Sequence, residues 1–139
     1  MRILIAEDDL GSRKFMQQFL KEYGDCDVTV DGIETVDAFL LAWDEGIPYD
    51  LICLDIMMPK LDGLKALKII RELENDKNIP EDQRVKIIMT TALNEQQTVY
   101  DAFELGCEAF AAKPINQQKL RQVLYKLNLI PEPSKASTS

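Results

Sequence analysis

Three short apolar runs, Arg2 to Ala6, Asp50 to Leu54 and Val85 to Met89, lead directly into Glu7, Asp55 and Thr90. Runs this brief, apolar at both odd and even positions, predict strands buried on both faces of a parallel sheet. Cys26 to Val30 and Glu108 to Ala112 are weaker strand candidates, the second built from Ala and Phe, and both are expected at the sheet edges.

Between the runs, apolar residues recur at helical spacing: Phe15, Phe19 and Leu20; Val36, Phe39, Leu40 and Trp43; Leu64, Leu67 and Ile69 or Ile70; Val99, Ala102 and Phe103; Leu120, Val123, Leu124 and Leu127. Asp31 with Glu34 and Asn94 with Gln97 have capping-box spacing, Asn116 is placed to cap the last helix, and Gly24 and Gly106 are placed to end theirs. Strand and helix alternate five times. With right-handed crossovers this predicts a doubly wound α/β fold, a five-stranded parallel sheet in a (βα)5 arrangement.

Asn75 to Arg84 is polar, contains a proline and is longer than an ordinary connection, so a loop is expected there. Residues 1–128 are read as one domain and 129–139 as a flexible tail, since Pro131 to Ser139 carries no apolar stripe.

The chain has 139 residues, enough for one core without disulfides or structural metal. No stretch approaches the roughly 18 apolar residues that span a bilayer and no export signal is evident, which predicts a cytoplasmic protein without membrane insertion. The net charge of −8, unrelieved by any basic cluster, disfavours direct nucleic-acid binding. Cys26, Cys53 and Cys107 are widely spaced and read as reduced structural thiols. The chain has no histidine, so its chemistry must rest on carboxylates, hydroxyls and lysines.

In an open parallel sheet, ligands bind beyond the carboxyl ends of the strands, where strand order reverses. Glu7, Asp8 and Asp9 follow the first strand, Asp55 the third, Thr90 and Thr91 the fourth, and Lys113-Pro114 the fifth. Carboxylates crowded at that edge repel by about 4 kcal/mol per pair at 4 Å and an effective dielectric of 20. Oxygen ligands alone favour a hard ion, and a site completed by water and phosphate suits Mg2+ better than Ca2+. A nucleophile, a metal, hydroxyls and an ammonium together are what phosphoryl transfer requires. Asp55, at the end of the central strand, is the natural nucleophile.

Ile3-Leu4-Ile5-Ala6-Glu7-Asp8-Asp9, Leu54-Asp55-Ile56-Met57-Met58-Pro59-x-x-Asp62-Gly63, Thr91-Ala92 and Lys113-Pro114, in this order and spacing, resemble the receiver domains of two-component response regulators, single-domain chemotaxis regulators among them. The resemblance covers residues 1 to 128. It implies a flavodoxin-like strand order of 2-1-3-4-5, with Asp55 as phosphoacceptor and Thr91 and Lys113 assisting. Mg2+ would be held by Asp8, Asp55 and the backbone carbonyl of Met57, with Glu7 bound through water. Thr91 would be the switch hydroxyl and Phe110 the switch aromatic, and the Lys113-Pro114 bond would be cis. A sensor histidine kinase or histidine phosphotransfer protein would supply the phosphoryl group. The surface of the fourth helix, fifth strand and fifth helix would change for a downstream protein partner. With no effector domain after Ile130, the output is expected to be a protein contact, and phosphorylation-dependent homodimerisation stays open. The first helix, through Arg13, Lys14, Met16, Gln17 and Lys21, would offer a kinase docking face.

Plainer readings stand beside these. Glu7, Asp8 and Asp9 also suit a solvated helix N-terminus, one of them as its cap. Met16, Met57, Met58 and Met89 read most simply as packing residues. A phosphohydrolase of the haloacid dehalogenase type would need a second aspartate two residues after the nucleophile, where Met57 stands, so a phosphoacceptor signalling domain is expected rather than an enzyme. A degenerate receiver serving only as an interaction module is a third reading, which the full set of site residue types opposes. Met57 and Leu93 flank the acceptor position with apolar side chains, which predicts slow autodephosphorylation.

Overall fold

The computed structural model describes residues 1–92 and 96–131. Five strands alternate with five helices: β1 (Arg2–Ala6), α1 (Leu10–Leu20), β2 (Asp25–Thr29), α2 (Gly32–Asp44), β3 (Leu51–Asp55), α3 (Gly63–Asp76), β4 (Lys86–Thr91), α4 (Gln96–Glu104), β5 (Ala109–Ala112) and α5 (Gln117–Lys126). The sheet runs β2-β1-β3-β4-β5 and every pairing is parallel, as expected. Strand order reverses between β1 and β3, which opens a crevice at their carboxyl ends.

The period of two in the strands divides the core between the two faces. Ile3 and Ile5, Leu51 and Cys53, and Ile88 pack with Met16, Phe19, Leu20, Leu120 and Leu124 of α1 and α5. Leu4 and Ala6, Ile52 and Leu54, and Ile87 and Met89 pack with Phe39, Ala66, Leu67, Ile70 and Ala102 of α2, α3 and α4. Because both sets are needed, the three central strands are apolar through their middle residues, whereas β2, at the edge, alternates exposed and partly buried positions before the buried Thr29. On α3 the inward residue is Ile70 rather than Ile69. Its burial stabilises the fold by about 1.5–3 kcal/mol relative to exposure.

Asp31 caps α2 by accepting from the Glu34 amide, and the Glu34 carboxylate reaches back to the amide of Val30, one residue before the cap. Asn116 caps α5 through the Lys119 amide. Gly106 follows α4 at φ +104°, a conformation that favours glycine, and so ends that helix as expected. Gly24 does not end α1, which closes at Leu20 with Lys21 as its cap. Gly24 is instead held by space, since a Cβ there would lie 2.0 Å from the carbonyl oxygen of Met1. The proposed cap at Asn94 lies outside the described residues. So does the tail from residue 132 onward, whereas Leu129 and Ile130 pack against the α1–α5 side of the core.

The stretch from Asn75 to Arg84 is less of a loop than its composition suggests. Asn75 and Asp76 complete α3, and Glu81–Gln83 form a short 3-10 helix. The three cysteines are unpaired. Burial pushes the Cys53 thiol up to about 12 and that of Cys107 up to about 11, so both behave as small apolar groups. Among the described residues, no helix is long and apolar enough to cross a membrane.

Candidate functional site

β1 delivers Glu7 directly into the crevice. Its amide still donates to Thr29 O at 3.0 Å, so the strand geometry carries one residue past Ala6 and leaves Glu7 0% exposed. Glu7 Oε2 accepts from the Asp9 amide at 3.1 Å. Asp8, next in the chain, is exposed. Asp9 turns away to cap α1, accepting from the Ser12 amide at 2.8 Å, and that bond holds its carboxyl below the usual range. The helix-cap reading thus applies to Asp9, while Glu7 and Asp8 face the site.

Asp55 ends β3 and is 2% exposed. The chain folds back sharply after it: the Ile56 amide donates to Thr90 O, and the Gly63 amide returns to Ile56 O at 2.9 Å. That return requires glycine, since a Cβ on Gly63 would lie 2.2 Å from the carbonyl oxygen of Asp55. Within the turn, the Met57 amide donates to Asp55 Oδ1 at 3.2 Å. The Met57 side chain is 58% exposed, so it is not a packing residue, unlike Met16, Met58 and Met89, which are buried. The backbone turns Met57 outward in order to aim its amide inward.

Lys113, just past β5, reaches across to this pair. Its Nζ lies 2.6 Å from Glu7 Oε1 and 3.3 Å from Asp55 Oδ2. The contact with Asp55 is a hydrogen bond, whereas the shorter one with Glu7 is an ion pair lacking hydrogen-bond direction, since Glu7 Oε1 has no hydrogen-bond partner. The Lys113 amide donates to Thr91 O at 2.8 Å, and the Lys113-Pro114 bond is cis, as the resemblance implied.

The electrostatics follow from this crowding. Burial pushes the Asp55 carboxyl up to about 7; the neighbouring Glu7 adds to the rise, and Lys113 and the Met57 amide oppose it. Burial pulls the Lys113 ammonium down, but the contacts with Glu7 and the charge of Asp55 outweigh it and leave the ammonium above its usual value. Carboxylate oxygens of Glu7, Asp8 and Asp55 lie within 4.8 Å of one another. An all-oxygen donor set this compact, with two members buried and one ammonium insufficient to neutralise it, fits a small hard divalent cation.

Thr90 and Thr91 end β4, both buried. Alternation sends Thr91 toward the α3–α4 side with Met89, and Thr90 toward the Asp55 side. Phe110, on β5, is half-buried against the α3–α4 side of the core and lines a 300 Å3 cleft with Ile115, Lys119, Val123 and Lys126 of the β5–α5 region. On α1, Arg13 is engaged with the carbonyl of Glu7 at 3.1 Å and Met16 is buried. Of the residues expected to form a docking face, Lys14, Gln17 and Lys21 are exposed and Arg13 is partly buried. Leu93 lies outside the described residues.

Two features escape a reading by motif. Thr90 shares a face with Asp55, which the period of the strand could have revealed. Arg71 holds a buried network at the opposite end of the sheet, donating to Glu74, Glu108, Val85 O and Gly106 O, and no local pattern signals it.

Comparison with known proteins gives a consistent picture. The model of the response regulator receiver domain matches residues 3–125. The chemotaxis protein CheY of Treponema pallidum is 34% identical over 121 residues, spanning 86% of this chain and 76% of that protein. The CheX-CheY-BeF3-Mg+2 complex from Borrelia burgdorferi contains a chain of TM-score 0.78 and 30% identity, with 92% of this chain and 89% of that one covered. The co-crystal structure of the Saccharomyces cerevisiae histidine phosphotransfer protein Ypd1 with the receiver domain of Ssk1 gives TM-score 0.78 at 26% identity, covering 95% and 93%.

Proposed function

The chain belongs to the response regulator receiver domain family, and from that we propose a receiver domain, residues 1–128, whose Asp55 accepts a phosphoryl group from a histidine kinase or histidine phosphotransfer protein. The observation that carries the reading is the Lys113 ammonium set between the buried carboxylates of Glu7 and Asp55, with Asp8 at the open side. Such a site holds an anionic nucleophile beside one cation and leaves room for a second.

Asp8, Asp55 and the Met57 carbonyl would ligate Mg2+, with Glu7 acting through water, and the ion would neutralise charge on the phosphoryl oxygens. An Asp55 carboxylate oxygen forms the new oxygen–phosphorus bond as the phosphorus–nitrogen bond of the donor phosphohistidine breaks, and the electron pair returns to the imidazole. Lys113 then balances a phosphoryl oxygen. The Met57 amide holds the carboxylate plane. Asp55 is 2% exposed and held between the Met57 amide and Lys113, which limits the directions from which it can attack.

Thr91 is the hydroxyl that follows the phosphoryl group, and Phe110, half-buried beside a cleft, is the aromatic that turns inward behind it. The surface of α4, β5 and α5 changes in consequence and binds a downstream protein. No acid stands two residues past Asp55, where Met57 is apolar, so the site signals rather than turning over external substrates, and it loses its phosphoryl group slowly. Intact mass after incubation with acetyl phosphate and Mg2+ tests the proposal. One added phosphoryl group on the wild type and none on Asp55→Asn is the expected result; modification of both proteins overturns it.

A further inference from the structure

One hydroxyl beside the reactive carboxylate has no partner. Thr90 is 1% exposed, and its Oγ1 makes no hydrogen bond. It is the register partner of Asp55, and alternation turns both side chains to the α1–α5 side of the sheet. Ala111 is its partner on β5, and Lys113 stands two residues further along that strand's direction, on the same side. Thr90 therefore lies between the acceptor carboxylate and the stem of the lysine.

A buried hydroxyl left unpaired costs about 1–3 kcal/mol, and valine would fill the same volume without that penalty. The preceding residue of β4 on this face, Ile88, is apolar and fully buried. Packing alone therefore gives no reason for a hydroxyl at this position, and the group next to it is the one that reacts.

In the resting site both Asp55 oxygens are engaged, Oδ1 by the Met57 amide and Oδ2 by Lys113. The Thr90 hydroxyl takes part in neither bond. We propose that Thr90 is a positioning residue for phosphoryl transfer: when Lys113 turns to the incoming phosphoryl group, the Thr90 hydroxyl supplies the hydrogen bond that Asp55 Oδ2 loses. The carboxylate plane then stays fixed during attack. The inference rests on Asp55 as acceptor and Lys113 as its phosphoryl partner.

The test compares Thr90→Val and Thr90→Ser with the wild type in the full chain, at saturating Mg2+. The rate of acetyl phosphate labelling is followed by intact mass, Mg2+ affinity by calorimetry, and stability by urea unfolding. Thr90→Val is expected to be labelled about 5- to 20-fold more slowly, the scale on which orientation of one reacting group acts. It should retain Mg2+ affinity and be at least as stable as the wild type, and Thr90→Ser should keep most of the rate. Wild-type labelling of Thr90→Val overturns the inference, and so does a Thr90→Ser rate as low as that of Thr90→Val, which would assign the effect to the methyl group. Labelling of Asp55→Asn in the same series is a separate result: it defeats the acceptor assignment itself, and the role of Thr90 falls with it.

Discussion

The Lys113 ammonium lies closer to Glu7, at 2.6 Å, than to Asp55, at 3.3 Å. Glu7 is thus the residue that holds the lysine in the resting site, and Asp55 shares it. Removing the ammonium leaves two buried carboxylates facing each other without a counter-charge. Lys113→Met is expected to lose about 1–3 kcal/mol of stability without divalent ions, less than a fully buried pair because the lysine is partly exposed. Millimolar Mg2+ should restore more stability to this variant than to the wild type, as thermal unfolding with and without the ion will measure.

Asp55 gives a pH dependence of definite sign. Its folded carboxyl is raised to about 7, against 3.8 as the ordinary value, chiefly by burial. The folded state then binds more protons than the unfolded chain between those values, so stability falls as pH rises through that interval. Asp55→Asn removes the ionising group. The variant should match the wild type near about pH 4 and exceed its stability by up to about 4 kcal/mol near about pH 8, the scale of one relieved carboxylate repulsion. Adding Mg2+ at the higher pH should narrow the difference. A stability gap between the two proteins that does not vary with pH in chelator-treated samples would contradict the assignment.

Arg71 makes the opposite end of the sheet a place of high cost. Its guanidinium is 2.6 Å from Glu74, which is 0% exposed, and 2.5 and 2.7 Å from the two oxygens of Glu108. Glu74 in turn accepts the Val85 amide, and Glu108 the Ile87 amide. Arg71→Ala leaves the buried Glu74 and the partly buried Glu108 without their cation, a loss of about 3–5 kcal/mol by urea unfolding. Arg71→Lys should recover only part of it, since an ammonium lacks the planar fork. Burial raises Glu108 and Arg71 holds it down, so the alanine variant should lie closer to the wild type at about pH 5 than at about pH 8, because the folded carboxyl then takes up a proton.

The sheet and most of the site were legible because their signals are local. Apolar runs ending in Glu7, Asp55 and Thr90 locate the strand ends, and strand ends are where side chains meet. Ile69 and Ile70 could not be separated by spacing alone; the helix phase decided it, and Ile70 faces the sheet. Met57 was misread as a packing residue because apolar type predicts burial only when the backbone allows it, and the turn after Asp55 sends that side chain outward. The Arg71 network joins residues 37 positions apart in sequence, so nothing near Arg71 announces Glu108. Thr90 was overshadowed by Thr91, whose position fits the motif, although strand alternation alone puts Thr90 on the side of Asp55.

On the proposed reading, the exposure of Met57 bears on how long a phosphoryl group on Asp55 would last. Its side chain is exposed two residues past Asp55, and on the proposed reading a polar group there would be able to hydrogen-bond a water approaching the phosphoryl group. Methionine offers only a weak acceptor there, and Leu93, two residues past Thr91 in the sequence, offers none. On the proposed reading, water would then reach the phosphorus without a strong hydrogen bond from either residue type. Replacing Met57 by Asn and Leu93 by Glu supplies a donor and an acceptor. Orienting the attacking water in this way should shorten the lifetime of phosphorylated Asp55 by about 10-fold or more. Phosphoryl loss after removal of the phosphodonor, followed by intact mass, will measure this. A double variant that holds its phosphoryl group as long as the wild type, or longer, would show that water access is limited by something other than these two side chains.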